Sequence, residues 1–109
     1  EYGFERLINN MKTQTDVFVI GLSPVNERKM PFGGCLWYSN EYCNSYEKRI
    51  EEVCINQDVP FLATFKEMYS DKRSSNWISN DGIHLNSYGH FWIYQRLKSW
   101  DILQKWKDN

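Results

Sequence analysis

The sequence has no long apolar run, no excess of either charge and no zinc-type cysteine spacing. Without roughly 20 consecutive apolar residues, no segment is fit to span a bilayer as a helix. No signal-peptide pattern is visible. A formal net charge of −1 excludes the broad positive field that draws proteins to nucleic acid or anionic membrane. Cys35, Cys43 and Cys54 are an odd set. They read as thiols of a reducing compartment, so the expected location is cytoplasmic; a single disulfide, Cys35–Cys43 or Cys43–Cys54, stays open. None sits at a strand end or helix start that would activate it as a nucleophile. There are only two histidines and no third ligand near them, so no metal site is expected. Repeats, low-complexity tracts and linkers are missing too, and 109 residues make one small domain at most.

What the chain has in plenty is aromatic side chains, 17% of its residues, with five Trp and seven Tyr. Large rings fill a core with few residues, or cover a face meant for another segment or subunit.

Phe4, Leu7, Ile8 and Met11 recur at i, i+3, i+4, i+7 and predict an amphipathic helix over residues 2–13. The run Val17-Phe18-Val19-Ile20-Gly21-Leu22 is apolar on both faces, as in a buried parallel strand, and Ser23-Pro24 ends it. Residues 25–40 are irregular, with Pro31, Gly33, Gly34 and several aromatics, the kind of long connection that lies over a site. Residues 41–57 carry Tyr46, Ile50, Val53 and Cys54 at helical spacing, with Glu47, Lys48, Glu51 and Glu52 read as the solvated side. Residues 60–65 are a short apolar run, expected to be a second buried strand with Pro60 first. Lys66 to Tyr69 suits one helical turn. Residues 70–80 read as polar loop around Trp77 and Ile78. Residues 87–106, with Ile93, Leu97, Trp100 and Leu103, read as one final helix. Strands alternating with helices imply βαβ units and a parallel sheet. Two strands are too few for a sheet covered on both faces.

Both histidines fall in Asn80-Asp81-Gly82-Ile83-His84-Leu85-Asn86-Ser87-Tyr88-Gly89-His90. Asp81 stands three residues before His84, and Gly82 permits a tight backbone between them. A carboxylate at that spacing can hold one ring nitrogen and leave the other to take a proton. The plain alternative is that Asp81 caps a turn and His84 packs under the helix.

In this block the sequence resembles the C-terminal half of the SGNH hydrolases, the GDSL lipase/esterase family. Their last block is Asp-x-x-His-Pro, with Gly-His and a terminal helix soon after. Asp81, His84, Gly89 and His90 match it; Leu85 departs, standing where the family has Pro. Residues 17–24 with Val25-Asn26-Glu27 are similar to the family's penultimate strand and loop, and residues 44–65 to its next helix and last strand. The resemblance implies a fold: the second half of a three-layer α/β/α, flavodoxin-like domain with a parallel sheet, residues 1–109 forming one partial domain. It implies a function: Asp81 and His84 as orienter and general base of a serine ester hydrolase acting on a small-molecule ester.

The Gly-Asp-Ser block with the nucleophile, and the blocks supplying the oxyanion hole, have no match here. With a start at Glu1 rather than Met and a shortage of strands, the expectation is a C-terminal part lacking roughly 80–110 residues. Alone, it is expected to be inactive. Ser23 follows an apolar strand, and Ser…Asp…His is the right order, but Pro24 removes the next backbone N–H and leaves oxyanion donors short. His90 reads as a first-turn helix residue. Asn26, Glu27, Phe32, Trp37 and Tyr38 either line a pocket or cover the core. The competing function is a non-catalytic chain that acts by pairing through an open strand edge, with a second copy or with its own N-terminal half.

Overall fold

The computed structural model describes residues 2–108. Helix α1 (Tyr2–Lys12) leads to strand β1 (Val19–Ile20), and a 3-10 turn (Glu27–Lys29) follows. Helix α2 (Asn40–Asn56) connects to strand β2 (Phe61–Leu62) and to the short helix α3 (Phe65–Ser70). A second 3-10 turn (Ser74–Trp77) precedes helices α4 (Ser87–Lys98) and α5 (Asp101–Asp108). The two strands pair in parallel, Val19 opposite Phe61 and Ile20 opposite Leu62. The chain is thus α/β, with the alternation of helix and strand that its periodicities predict. Among the described residues the sheet has only these two strands, so a four- or five-stranded flavodoxin-like sheet is not what these residues form.

Ile8, Cys54 and Val59 make the centre of the core, with Phe4, Val17, Val19, Ile50 and Phe61 packed against them. Successive strand residues point to opposite faces, and Phe18 turns the other way, edge-on to Trp100 at 6.0 Å and to Trp106 at 5.7 Å. Trp106 also donates its indole N–H to Asp16 Oδ2 at 2.8 Å, which ties α5 to the start of β1. Helix α2 starts because Ser39 caps it, its Oγ accepting from Tyr42 N–H at 3.1 Å. It stops at Asp58, whose φ of +59° is a left-handed turn that Asp tolerates.

Five expectations are corrected. Glu47 is buried rather than on the solvated side of α2, and Tyr46, read as core, stands exposed. The 17–22 strand is shorter and less covered than its apolarity implies, with Ile20 39% exposed, because only β2 lies beside it. Phe65 opens α3 instead of ending β2. The final helix is two: Trp100 N–H turns back to Leu97 O at 3.1 Å. That break buries Trp100 against Phe18, and Asp101 then supplies the acidic first turn of a new helix. The three cysteines are free thiols, so neither disulfide forms. No helix among the described residues is long and apolar enough to cross a membrane.

Candidate functional site

The loop bearing Asp81 and His84 is closed by its own backbone. Ser79 N–H donates to His84 O at 2.7 Å, and Gly82 N–H to Ser79 O at 3.0 Å. Ile78 and Leu85 form an antiparallel bridge across its neck. Leu85, the position that departs from the Asp-x-x-His-Pro pattern, is therefore a bridge residue. Gly82 has φ +83°, a conformation cheap only for glycine. A Cβ there would also meet Lys29 Cβ at 2.5 Å. The loop thus packs on the 3-10 turn that follows β1, and Asn26 N–H donates to Gly82 O at 2.8 Å. On the far side, Asn86 caps α4: its Oδ1 accepts from Gly89 N–H at 3.0 Å, and its side-chain amide donates to Asn76 O at 2.7 Å. Gly89 lets α4 approach the second 3-10 turn, since a Cβ would stand 2.6 Å from Trp77 O.

Within this frame Asp81 uses both oxygens. Oδ1 accepts from the backbone N–H groups of Ile83 at 2.8 Å and His84 at 3.0 Å. Oδ2 meets His84 Nδ1 at 2.5 Å. The Ile83 N–H, then the His84 ring and the His84 N–H, pull the carboxyl down to about 2. An ionised carboxylate only accepts, so Nδ1 carries the proton and Nε2 is the basic nitrogen. The His84 side chain is 71% exposed, with one edge against Phe32 at 6.3 Å. Phe32 is held by a tight turn, paired with Leu36 through Gly33 and Gly34 at positive φ, and its ring meets Tyr38 at 6.3 Å.

A groove of about 510 Å³ opens beside the loop, with Ile83, Ser23, Val25, Trp37, Tyr38 and Tyr42 among its walls. Ser23 therefore lies in the same groove as the loop, but among the described residues no serine hydroxyl is hydrogen-bonded to His84. His90 is exposed on the first turn of α4 and makes no hydrogen bond to the pair. Asn26 and Glu27 are caps: Asn26 Oδ1 accepts from Arg28 N–H at 3.1 Å, and Glu27 Oε2 from Asn40 N–H at 3.3 Å. Trp37 and Tyr38 line the groove. No group of three or more His, Cys, Asp or Glu among the described residues has the arrangement to hold a metal ion.

Glu47 is the polar residue that sequence reasoning missed. Its Oε1 accepts from Leu22 N–H at 2.7 Å, Phe65 N–H at 3.0 Å and Thr64 N–H at 3.3 Å. One carboxylate thus gathers the chain leaving β1 and the chain leaving β2, and so fixes the end of the sheet nearest the groove. Asn40 does similar work one step further on: its Oδ1 accepts from Val25 N–H at 2.8 Å and its Nδ2 donates to Val25 O at 3.0 Å. The only signal in the sequence is Gly21 at the strand's end, which marks a close approach without naming the partner.

No family model, curated protein or solved structure matches the chain.

Proposed function

We propose that Asp81 and His84 are the orienting acid and general base of a serine ester hydrolase. The nucleophilic serine and the oxyanion donors come from a polypeptide segment outside these 109 residues. In this reading the parallel pair is one side of a larger parallel sheet in a three-layer α/β/α, flavodoxin-like domain. The observation that supports it is the 2.5 Å contact of Asp81 Oδ2 with His84 Nδ1, beside a groove of ligand size.

Chemically, Nε2 of His84 takes the proton of the serine hydroxyl as its oxygen attacks the ester carbonyl. Asp81 keeps Nδ1 protonated and stabilises the imidazolium. The imidazolium then gives the proton to the departing alkoxide, which leaves an acyl-enzyme. Water, deprotonated by the same nitrogen, releases the acid and restores the serine. The ligand is a small-molecule ester, and the chemistry calls for no metal or organic cofactor. Ser23 is a poor nucleophile here because Pro24 offers no N–H to a developing oxyanion.

The test is hydrolysis of p-nitrophenyl acetate by the chain alone and by the chain joined to an N-terminal segment that carries a Gly-Asp-Ser nucleophile block. No turnover alone, with turnover that needs His84 once the segment is joined, is the expected result. Strong hydrolysis by the chain alone, abolished by Ser23→Ala, would overturn the reading and make Ser23 the nucleophile.

A further inference from the structure

The Asp81 carboxylate and the His84 ring are held by different means. Two backbone N–H groups, from Ile83 and His84, fix Oδ1 of Asp81 inside the loop. The imidazole has one hydrogen bond, between Nδ1 and Asp81 Oδ2 at 2.5 Å, and its side chain is 71% exposed. Water competes for such a bond, so an exposed pair of this kind constrains its side chains only weakly. Left to itself, an exposed histidine hops among staggered χ1 wells on a fast timescale. In the wells that leave Asp81, Nε2 no longer stands where a fixed nucleophile meets it, and a general base acts only from that position.

Among the described residues, one other group lies ring to ring with the imidazole. It is Phe32, with centroids 6.3 Å apart and planes at 65°, the edge-to-face arrangement that aromatic rings prefer. Phe32 is itself anchored. Its N–H donates to Leu36 O at 2.6 Å and its C=O accepts from Leu36 N–H at 3.0 Å, across a turn that Gly33 and Gly34 close at positive φ. Tyr38 meets its ring edge-on at 6.3 Å. Residues 33–38 are exposed, whereas Phe32 is half-buried, so this loop tucks in the ring that meets His84. Phe32 is not among the residues that wall the groove, so contact with a ligand there does not account for its place.

We infer that Phe32 is a positioning residue. Its ring blocks the rotation that would swing the imidazole away from Asp81, and so keeps Nδ1 on the carboxylate and Nε2 in one place. Its part in catalysis rests on the reading of His84 as the general base, but its hold on the ring is measurable without substrate.

The test uses the 109-residue chain with isotope-labelled histidine. Three-bond NMR couplings across χ1 give the rotamer populations of both histidines, and His90, exposed on α4, is the internal control. Phe32→Ala should lower the ratio of the Asp81-bound rotamer of His84 to the others by about two- to tenfold, the factor that a ring pair of this geometry supplies. Phe32→Tyr, which keeps the ring, should match the parent. The His90 couplings and the amide exchange of Ile83 and His84 should stay at parent values in both variants, because the loop's own bonds hold Asp81. Unchanged His84 couplings in Phe32→Ala would overturn the inference. Faster exchange at Ile83 and His84 in that variant would overturn it too, since Phe32 would then support the loop and not the ring. So would an effect of Phe32→Tyr as large as that of Phe32→Ala. With the serine supplied, Phe32→Ala should lower kcat by the same factor as the rotamer ratio and leave KM unchanged. A freed imidazole with unchanged kcat would overturn the general-base reading and leave the hold of Phe32 on the ring standing.

Discussion

The carboxylate of Glu47 occupies the space in which a Cβ on Gly21 would stand. The glycine and the acid are therefore one device: the missing side chain lets the carboxylate reach Leu22, Thr64 and Phe65. Glu47→Ala leaves three N–H groups at a buried site without their acceptor and should cost about 3 kcal/mol or more. Glu47→Gln keeps one acceptor oxygen and should cost less. Gly21→Ala should destabilise like Glu47→Ala, and the double variant should cost less than the sum of the two. Urea unfolding followed by tryptophan fluorescence measures all four.

Asp81 makes the loop sensitive to acid. Its carboxyl is pulled down to about 2 by the Ile83 N–H first and the His84 ring second, from about 3.9 in an unfolded chain. A depressed carboxyl contributes stability that is present above the unfolded value and is lost as pH falls through the folded one. The loop should hold at neutral pH and open between about pH 4 and pH 2. Amide exchange at Ile83 and His84 should accelerate over that window, and Asp81→Asn should remove the pH dependence there. Asp71, held to about 2 by its hydrogen bonds to Arg73, falls in the same window. Global unfolding would therefore mix the two, and the local amides separate them.

Gly82→Ala should disturb the site through the backbone. The new side chain meets Lys29 Cβ and the residue must keep φ +83°, at a cost of about 1–3 kcal/mol. Lys29→Ala relieves the contact but not the dihedral angle, so it should rescue only part of the loss. Thermal melts of the two single variants and the double variant give the comparison.

Under the proposed hydrolase mechanism, with the serine supplied, Asp81→Asn should lower kcat for p-nitrophenyl acetate by about 10⁴ with little change in KM. His84→Ala should do at least as much. Circular dichroism of each variant should match the parent, because the His84 side chain stands mostly in water. A variant that stays folded and keeps full activity would remove the pair from the mechanism.

Thiol titration checks the packing directly. Cys35 is exposed, Cys43 half-buried and Cys54 buried. Burial first, then the charges of Glu27 and Glu47, pushes the Cys43 thiol up. Burial first, then Glu51, does the same to Cys54. Native protein should release one equivalent of thionitrobenzoate quickly, a second slowly and the third only with denaturant.

The order of helices and strands was legible because each element advertises its own period. Phe4 and Ile8 four residues apart, and the unbroken apolar run 17–22, are local facts, and the parallel pairing follows from a helix between two strands. The approach of Asp81 to His84 was legible too, since three residues with a glycine among them leave few ways to keep the two side chains apart. Glu47 was not. Its helical position matched the charged side of α2, and nothing local says that N–H groups from residues 22, 64 and 65 converge on it. The split between α4 and α5 was hidden for the same reason, because Trp100 continues the helical stripe and only the presence of Phe18 makes burying it by a turn the better packing. The sequence by itself therefore determined the elements and the Asp81–His84 pair, both products of contacts within a few residues. The tertiary structure alone decided which acid is buried, where the last helix breaks and which ring stands against His84. Those depend on where distant backbone groups and rings meet, and short-range periodicity carries no record of that.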